Sequence, residues 1–470
     1  MPWQLPGLLT LRLRRYPKNG SGLILKSRNF LPMKDKIRFS SSRPLQEIIQ
    51  AHKKGKSIGI YSICSANRNV LQAAMHSRKA KDGFLLIEST CNQVNQEGGY
   101  TGMTPWQFTV YIQELAEELD FPTERIMLGG DHLGPNPWKH EQASIAMGKA
   151  EKLVHDYVAA GYVKIHLDTS MSCGNEGPLP ADTIAERSAQ LCMQAEKTAH
   201  ANQFAQLPVY VIGTEVPMPG GMTAEQSEGI HITKMTFARQ TLQTYRDVFI
   251  HHGLQEVLQR IIALVVSPGV EFNDKMIFPY NRLKTESLSR FIEDIPGMVY
   301  EAHSTDYQTP HSLRQMVEDH FAILKVGPAL TYAFREAVFN LAAIEKELPY
   351  LDQQSQSHIV ETLMHTMQDD RSHWEQYYSG PDEEIHFALK YSFSDRVRYY
   401  WGYPAVHASY QKLITNLSTR PIPLTLVSQH FPHLYPLVRD ELIAPDPSVL
   451  LIACINQVLA PYQNACDSIC

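Results

Sequence analysis

Four apolar runs of this 470-residue chain end in side chains that bind metals and move protons. Arg125-Ile-Met-Leu-Gly-Gly-Asp131-His132 breaks off at two glycines, an acid and an imidazole. Lys164-Ile-His166-Leu-Asp168, Tyr210-Val-Ile-Gly-Thr-Glu215 and Val299-Tyr-Glu301-Ala-His303-Ser304 end in the same manner. Side chains alternate along a strand, so Lys164, His166 and Asp168 share a face, as do Glu301 and His303. An unpaired charge buried on such a face is costly. The charges must therefore compensate one another, bind a metal or meet a substrate. His132, His303, Asp168 and Glu215, with His166 and Glu271 as further candidates, are nitrogen and oxygen ligands that suit a divalent ion, zinc in particular, with a position left open. Such an ion polarises a carbonyl and stabilises an enediolate. The competing reading is a polar inner layer of salt bridges with no ion. His155, His251, His252, His320 and His373 fall in helical or loop segments without such partners and are expected at the surface.

Two lysines need separate treatment, because a desolvated lysine can be a Schiff-base nucleophile. Lys164 stands two residues from His166 and four from Asp168, which makes a charge partner the better reading. Lys325 precedes Val326-Gly327-Pro328, where a barrel places phosphate-binding amides, and reads as a phosphate contact.

The elements that would position these groups are eight strand-like runs near 57–64, 83–89, 125–131, 161–168, 207–215, 263–268, 298–304 and 321–327. Helical patterns separate most of them. The clearest has Thr104 as cap, Pro105 in the first turn, and Phe108, Ile112, Leu115 and Leu119 at helical spacing. Others lie near 141–160, 181–200, 236–260 and 331–348, and the one before the seventh strand is less clear. Eight βα units in about 270 residues, each with chemistry at the strand's carboxyl end, predict an α/β fold of the (β/α)8 TIM-barrel type. An open doubly wound sheet is the rival, but no Gly-x-Gly-x-x-Gly follows the first strand.

The barrel is expected over 33–345 and a helical C-terminal region over 346–470. Residues 1–32 hold six basic residues and no acid, and Met33 follows. They read as an extension outside the fold, consistent either with an organelle transit peptide or with a misassigned start. The remainder carries 37 basic and 49 acidic residues, which favours neither nucleic acid nor an anionic membrane. With 43% hydrophobic residues and no apolar run approaching about 18 residues, a cytoplasmic enzyme-sized protein is expected. Seven scattered cysteines form no Cys-x-x-Cys pair and fit reduced thiols. In the C-terminal region Tyr391-Ser-Phe-Ser-Asp395-Arg396-Val-Arg398-Tyr399-Tyr400-Trp401 sets two guanidinium groups among five aromatics. It is either a helix docked on the barrel wall or an arm that brings Arg396 or Arg398 over the mouth to grip a phosphate.

Six runs resemble the Z-type subunit family of D-tagatose-1,6-bisphosphate aldolase. They are Ser65-Ala-Asn67, Glu88-Ser-Thr-Cys91-Asn92-Gln93-Val-Asn95-Gln96, Gly-Gly-Asp131-His132-Leu-Gly-Pro-Asn136-Pro-Trp138, Asp168-Thr-Ser170-Met, Gly213-Thr-Glu215-Val-Pro and Ser394-Asp395-Arg396. The resemblance covers about residues 38–430 and implies a TIM barrel in galactitol, N-acetylgalactosamine and tagatose 6-phosphate catabolism. It also implies a companion that stabilises and activates a separate class II aldolase subunit. The family's older name of tagatose 6-phosphate kinase finds no Gly-x-x-x-x-Gly-Lys-Ser/Thr loop to support it. Asp131-His132 looks like the acid and metal-binding histidine of class II aldolases, and His303 resembles their second metal histidine.

On that basis Asp131, Asp168 and Glu215 are the candidates for proton transfer, and His132, His303 and His166 for the metal. Asn67, Glu88, Asn92, Ser304, Lys325 and Arg396 are the candidates for binding substrate. The likeness has gaps. The sixth strand ends in Ser267-Pro-Gly269-Val-Glu271 without a histidine, and Ser304-Thr305-Asp306 stands where class II enzymes carry a glycine-rich phosphate loop. Two functions follow: a non-catalytic aldolase subunit, or a metal-dependent ketohexose phosphate 4-epimerase that interconverts fructose 6-phosphate and tagatose 6-phosphate by retro-aldol cleavage and re-addition. A sugar phosphate is the expected ligand in both, and a homo-oligomer is compatible with either.

Overall fold

The computed structural model describes residues 39–213 and 231–467. The basic segment 1–32 and the candidate Glu215 lie outside them.

All eight expected runs are strands. They are β1 (Ile60–Ile63), β2 (Leu85–Thr90), β3 (Ile126–Leu133), β4 (Lys164–Leu167), β5 (Val209–Ile212), β6 (Ile261–Val265), β9 (Val299–Ala302) and β10 (Ile323–Val326). They close into a parallel barrel in the order β1-β10-β9-β6-β5-β4-β3-β2. A short antiparallel hairpin, β7 (Glu271–Phe272) with β8 (Ile277–Phe278), interrupts the connection after β6. Two-residue strands leave no period to read, and the sequence reading missed them.

Local chemistry explains the crossovers. Thr104 and Gln107 form a capping box on the helix Pro105–Glu118. Asn67 caps the helix Arg68–Lys79 by accepting from the backbone N–H groups of Asn69 and Val70. Alternation along the strands divides the core in two. Tyr61, Ile63, Leu85, Ile87, Ile126, Leu128, Ile165 and Leu167 face outward to the helices. Ile60, Leu86, Met127, Val209, Val299 and Ile323 face inward, where Leu45 and Ile49 of the helix Arg43–Lys53 plug the floor.

Climbing from that floor, the inward positions change character. Leu86 gives way to Glu88, Ile323 to Lys325, and Val299 to Glu301 and then His303, all buried. The fold thus places an apolar layer at the floor, a charged layer above it and imidazoles at the mouth.

Beyond β10 the chain is helical. The helix Pro447–Cys466 packs on Arg68–Lys79, Pro310–Glu318 and Pro328–Glu347, filling the ring between the first and seventh crossover helices. The Gly59 N–H donates to the Cys466 carbonyl (2.9 Å), and Arg78 pairs with Asp467 (3.0 Å). By length and composition alone this helix could cross a membrane, contrary to the reading that no such apolar run exists; more than half of it is buried as a core helix. None of the six described cysteines is in a disulfide.

Candidate metal centre at the barrel mouth

Alternation alone would send Asp131 and His132 to opposite faces of β3. The β3–β4 register shifts between Gly130 and Leu133, and His132 takes a left-handed backbone (φ 50°). This bulge turns both side chains into the centre, a re-aiming that bulges beside functional sites commonly perform. Gly134 lets the strands meet there, since a Cβ at that position would lie 1.7 Å from the Asp168 carbonyl oxygen.

The charged layer comes first. Lys164 Nζ stands 2.7 Å from Glu88 and 2.6 Å from Glu301, with all three side chains fully buried. Lys325 contacts Glu88, Asp131 (2.7 Å) and Glu301 (3.7 Å). Burial would lower both lysines. Glu301 and Glu88 outweigh it and raise Lys164, and Asp131 leads the groups that hold Lys325 well above its ordinary value. Both are paired and held in the charged form by these carboxylates, which disfavours a nucleophilic role. Lys164 is a charge partner, as expected, but its partners come from β2 and β9, not from His166 and Asp168. Lys325 spends its charge on carboxylates, so the structure does not support a phosphate contact there.

Above this layer three imidazoles form a triangle. The ring centroids of His132 and His166 lie 5.0 Å apart, those of His132 and His303 4.8 Å, and those of His166 and His303 5.2 Å. A carboxylate stands behind each ring. His132 Nδ1 is 2.9 Å from Asp168, His166 Nδ1 is 2.9 Å from Asp131, and His303 Nε2 is 3.0 Å from Glu301. Ionised carboxylates only accept, so each contacted nitrogen carries the proton. The His132 N–H also points at His166 Nδ1 (3.2 Å), but with the proton on that atom it finds no lone pair there to donate to. The other nitrogen of each ring then keeps its lone pair, the arrangement in which carboxylates orient metal-binding histidines.

The carboxylates are suited to this role. Burial would raise Asp131, but Lys325, His132 and His166 hold it well below the usual range. Asp168 is likewise brought to about 2, its hydrogen bond with His132 outweighing burial. Glu301 is held well below the usual range by Lys164 and Lys325, against burial. Burial pushes His303 down to about 3, which keeps it neutral. His132 moves the other way: Asp131 and Asp168 overcome burial and raise it.

Two observations fit a divalent ion. His166 Nε2 is buried with no hydrogen-bond partner among the described residues. Counted with His132 neutral, as a metal ligand must be, the buried carboxylates Glu88, Asp131, Asp168 and Glu301 outnumber Lys164 and Lys325 by two, an excess that a proton on His132 would reduce to one. Ligand atoms of Asp131, His132, His166 and His303 all lie within 4.8 Å of one another. Such a buried set, backed by carboxylates, is compatible with a metal and does not choose which one.

The remaining candidates divide. Ser304 sits in a left-handed turn (φ 53°) and bonds Glu271, whose carboxyl burial lifts to about 7. Asn67 is spent on its helix cap, and fully buried Glu88 on the lysines. The Asn92 carbonyl accepts from the Tyr100 N–H, and Gln93 and Asn95 hold the same loop by bonds to Thr90, Cys64, Cys91, Glu97 and Gly99. Much of the Asn-Gln run is thus loop scaffolding. Arg396 is buried in the C-terminal region. Among the histidines expected at the surface, His320 bonds His52, His252 pairs with Glu186 and His373 stacks on Tyr399.

A (β/α)8 barrel with a buried cluster of imidazoles and carboxylates at the carboxyl ends of its strands is the class of protein that this geometry defines. The chain belongs to the D-tagatose-1,6-bisphosphate aldolase subunit GatZ/KbaZ-like family, whose pattern it matches over residues 45–467. It is 42% identical to a probable tagatose 6 phosphate kinase from Sinorhizobium meliloti 1021, a solved structure with TM-score 0.80, covering 87% of this chain and 100% of that one. Weaker likenesses reach the YdjI aldolase of Escherichia coli K12 (9% identity, 77% of this chain and 95% of that one, TM-score 0.37). Fructose-bisphosphate aldolase of Campylobacter jejuni is similar at 10% identity, over 80% and 92% of the two chains, with TM-score 0.41. Both of those scores are too low to bear on function.

Proposed function

We propose that this chain is the companion subunit of a class II D-tagatose-1,6-bisphosphate aldolase, acting in tagatose 6-phosphate catabolism fed by galactitol or N-acetylgalactosamine. In this role it stabilises and activates a separate catalytic subunit and itself binds a sugar phosphate. Membership of the aldolase subunit family across nearly the whole chain carries the reading. Two features favour a companion over an independent aldolase: the loop after β6 offers Glu271 and no histidine, and Asp306 stands where a glycine-rich phosphate loop is usual.

His132, His166 and His303 are the residues that would hold a divalent ion, with Asp168, Asp131 and Glu301 fixing their tautomers. A bound ion would supply Lewis-acid polarisation of a substrate carbonyl.

The intact centre favours a second reading, a ketohexose phosphate 4-epimerase. Retro-aldol cleavage and re-addition need a group that takes and returns a proton near neutral pH. Asp131 is too acidic and too fully engaged for that; Glu271, near 7 and bonded to Ser304 beside His303, is better matched.

The test is to purify the chain alone, determine its bound metal, and assay it with tagatose 1,6-bisphosphate and with fructose 6-phosphate, with and without a class II aldolase partner. Cleavage only in the pair, with a more heat-stable partner, is the expected result. Metal-dependent turnover of fructose 6-phosphate by the lone chain would replace the companion reading with the epimerase.

A further inference from the structure

Barrels commonly hold phosphate after their seventh and eighth strands, on backbone amides that include a helix N-terminus. Here that place is taken from within. Asp306, in the turn after β9, accepts from the backbone N–H groups of Gly327 (3.0 Å) and Ala329 (2.8 Å) at the start of the helix Pro328–Glu347. Its carboxylate does internally what a phosphate oxygen does elsewhere.

The same quadrant receives two guanidinium groups from the C-terminal region. Tyr399 packs edge-on against Tyr100 of the loop after β2, with centroids 4.7 Å apart. The charge of Arg398 is felt at both Tyr100 and Asp306. In the barrel order β1 and β10 lie between β2 and β9; Arg398 is felt in the loops after both β2 and β9, and Arg396 in the loop after β2.

Arg398 is engaged by the carbonyls of Ser394 and Asp395 and by the Tyr399 hydroxyl (2.9 Å). Arg396 is not. It is 3% exposed, its guanidinium carbon lies 3.1 Å from the Tyr377 ring centroid, and among the described residues Nη1 alone reaches a partner, the Tyr399 hydroxyl at 3.3 Å. Nε and Nη2 are buried without partners, and neither Arg396 nor Arg398 forms an ion pair with a carboxylate among the described residues. Nε and Nη2 are one edge of the guanidinium fork, the edge that takes two oxygens of an oxyanion side by side. Leaving such an edge buried and unmet is costly.

Resting on the reading that the mouth receives a sugar phosphate, we propose that Arg396 is its phosphate anchor, gripping two phosphate oxygens through Nε and Nη2. Tyr377 holds the guanidinium plane from below, and Arg398 adds a second positive charge without direct contact. That doubled charge selects a phosphate dianion over a carboxylate. The site distinguishes a phosphorylated from a neutral sugar, while the histidine centre deals with the carbonyl.

The test titrates the full chain with inorganic phosphate, acetate, tagatose 6-phosphate and tagatose at constant ionic strength, by calorimetry and thermal melting. The wild type is expected to bind phosphate and to melt higher in it, and to prefer tagatose 6-phosphate to tagatose at least tenfold. Arg396→Met should remove that preference while keeping tagatose affinity and metal content, and Arg396→Lys should restore part of it. Equal phosphate affinity in wild type and Arg396→Met would overturn the proposal, as would a wild type that ignores phosphate or prefers acetate. If Arg396→Met does not fold, Arg396→Lys carries the comparison, and an unchanged preference for tagatose 6-phosphate there would equally overturn the proposal. None of these readouts requires turnover, so the anchor can fail while the companion reading stands, and the reverse.

Discussion

The floor and the mouth of this barrel are built from the same strands and solve opposite problems. At the floor, Leu45 and Ile49 press on Ile60, Leu86, Met127 and Val299 without involving a single charge. At the mouth, four carboxylates, two lysines and three histidines are buried together. Apolar burial stabilises wherever it occurs, at about 25 cal/mol per Å². Buried ion pairs roughly break even against hydrophobic residues of the same shape. The mouth therefore adds little stability for its complexity, and its arrangement is better understood as serving a ligand.

The largest effect should come from unbalancing the mouth. Lys164→Met leaves Glu88 and Glu301 with Lys325 as their one remaining cation, already shared with Asp131, and removing one partner of a buried pair costs about 3–5 kcal/mol. Denaturant unfolding measures it, and a loss under about 1 kcal/mol would mean that water already reaches this layer. Next is the floor: Leu86→Ala should cost about 2–5 kcal/mol while leaving bound metal unchanged. If the metal is lost along with the stability, the two ends are not separable as described.

The floor also has one titrating contact. His52 donates from Nδ1 to the Ile58 carbonyl (2.7 Å), and its Nε2 accepts from His320 Nδ1 (2.8 Å). Burial above all holds His52 down to about 4. A histidine depressed on folding contributes its stability fully above about pH 6.5, and that contribution is lost as the pH falls towards 4. The loss is at most about 3 kcal/mol. Glu271 and Asp306, lifted to about 7 and about 6, act with the opposite sign over part of this range. The contrast between wild type and His52→Asn isolates the histidine, and parallel stability–pH curves for the two would rule this contact out. Last is a change read mainly at the metal. Asp168→Asn should cost less in unfolding than Lys164→Met, about 2 kcal/mol from a carboxyl brought to about 2 on folding, and should weaken metal binding about 10–100-fold by loosening His132. Metal titration followed by spectroscopy or calorimetry reads it directly.

The architecture was legible because each strand carries its apolar residues low and its polar residues high, a gradient that survives in one dimension. His303 and Glu301 could be placed on one face for the same reason. Asp131 and His132 could not, because a bulge breaks the alternation. The partners of Lys164 were unreadable because they lie on β2 and β9, joined to it only by closure of the barrel. Asn67, Glu88 and the Asn-Gln run looked like substrate contacts because polar residues at strand ends look alike in sequence, whether they meet a ligand or tie down a loop. The unpartnered edge of Arg396 was half visible: arginine among aromatics could be read, but not which of its nitrogens is left over among the described residues.

The helix Pro447–Cys466 gives the barrel a particular order of assembly. Its Cys466 carbonyl holds the backbone just before β1, and the Tyr462 hydroxyl donates to the Thr305 carbonyl (2.6 Å). The backbone before the first strand is thus tied to this helix across some 400 residues of intervening chain. Contacts this distant in sequence form slowly. Until residue 466 has been made, a chain emerging from the ribosome can pair β1 with β10 but lacks the helix that packs on Arg68–Lys79 and Pro310–Glu318. A ribosome-stalled chain ending at residue 440 should therefore expose those two helices to protease, while one extended beyond residue 467 and clear of the exit tunnel should be protected there.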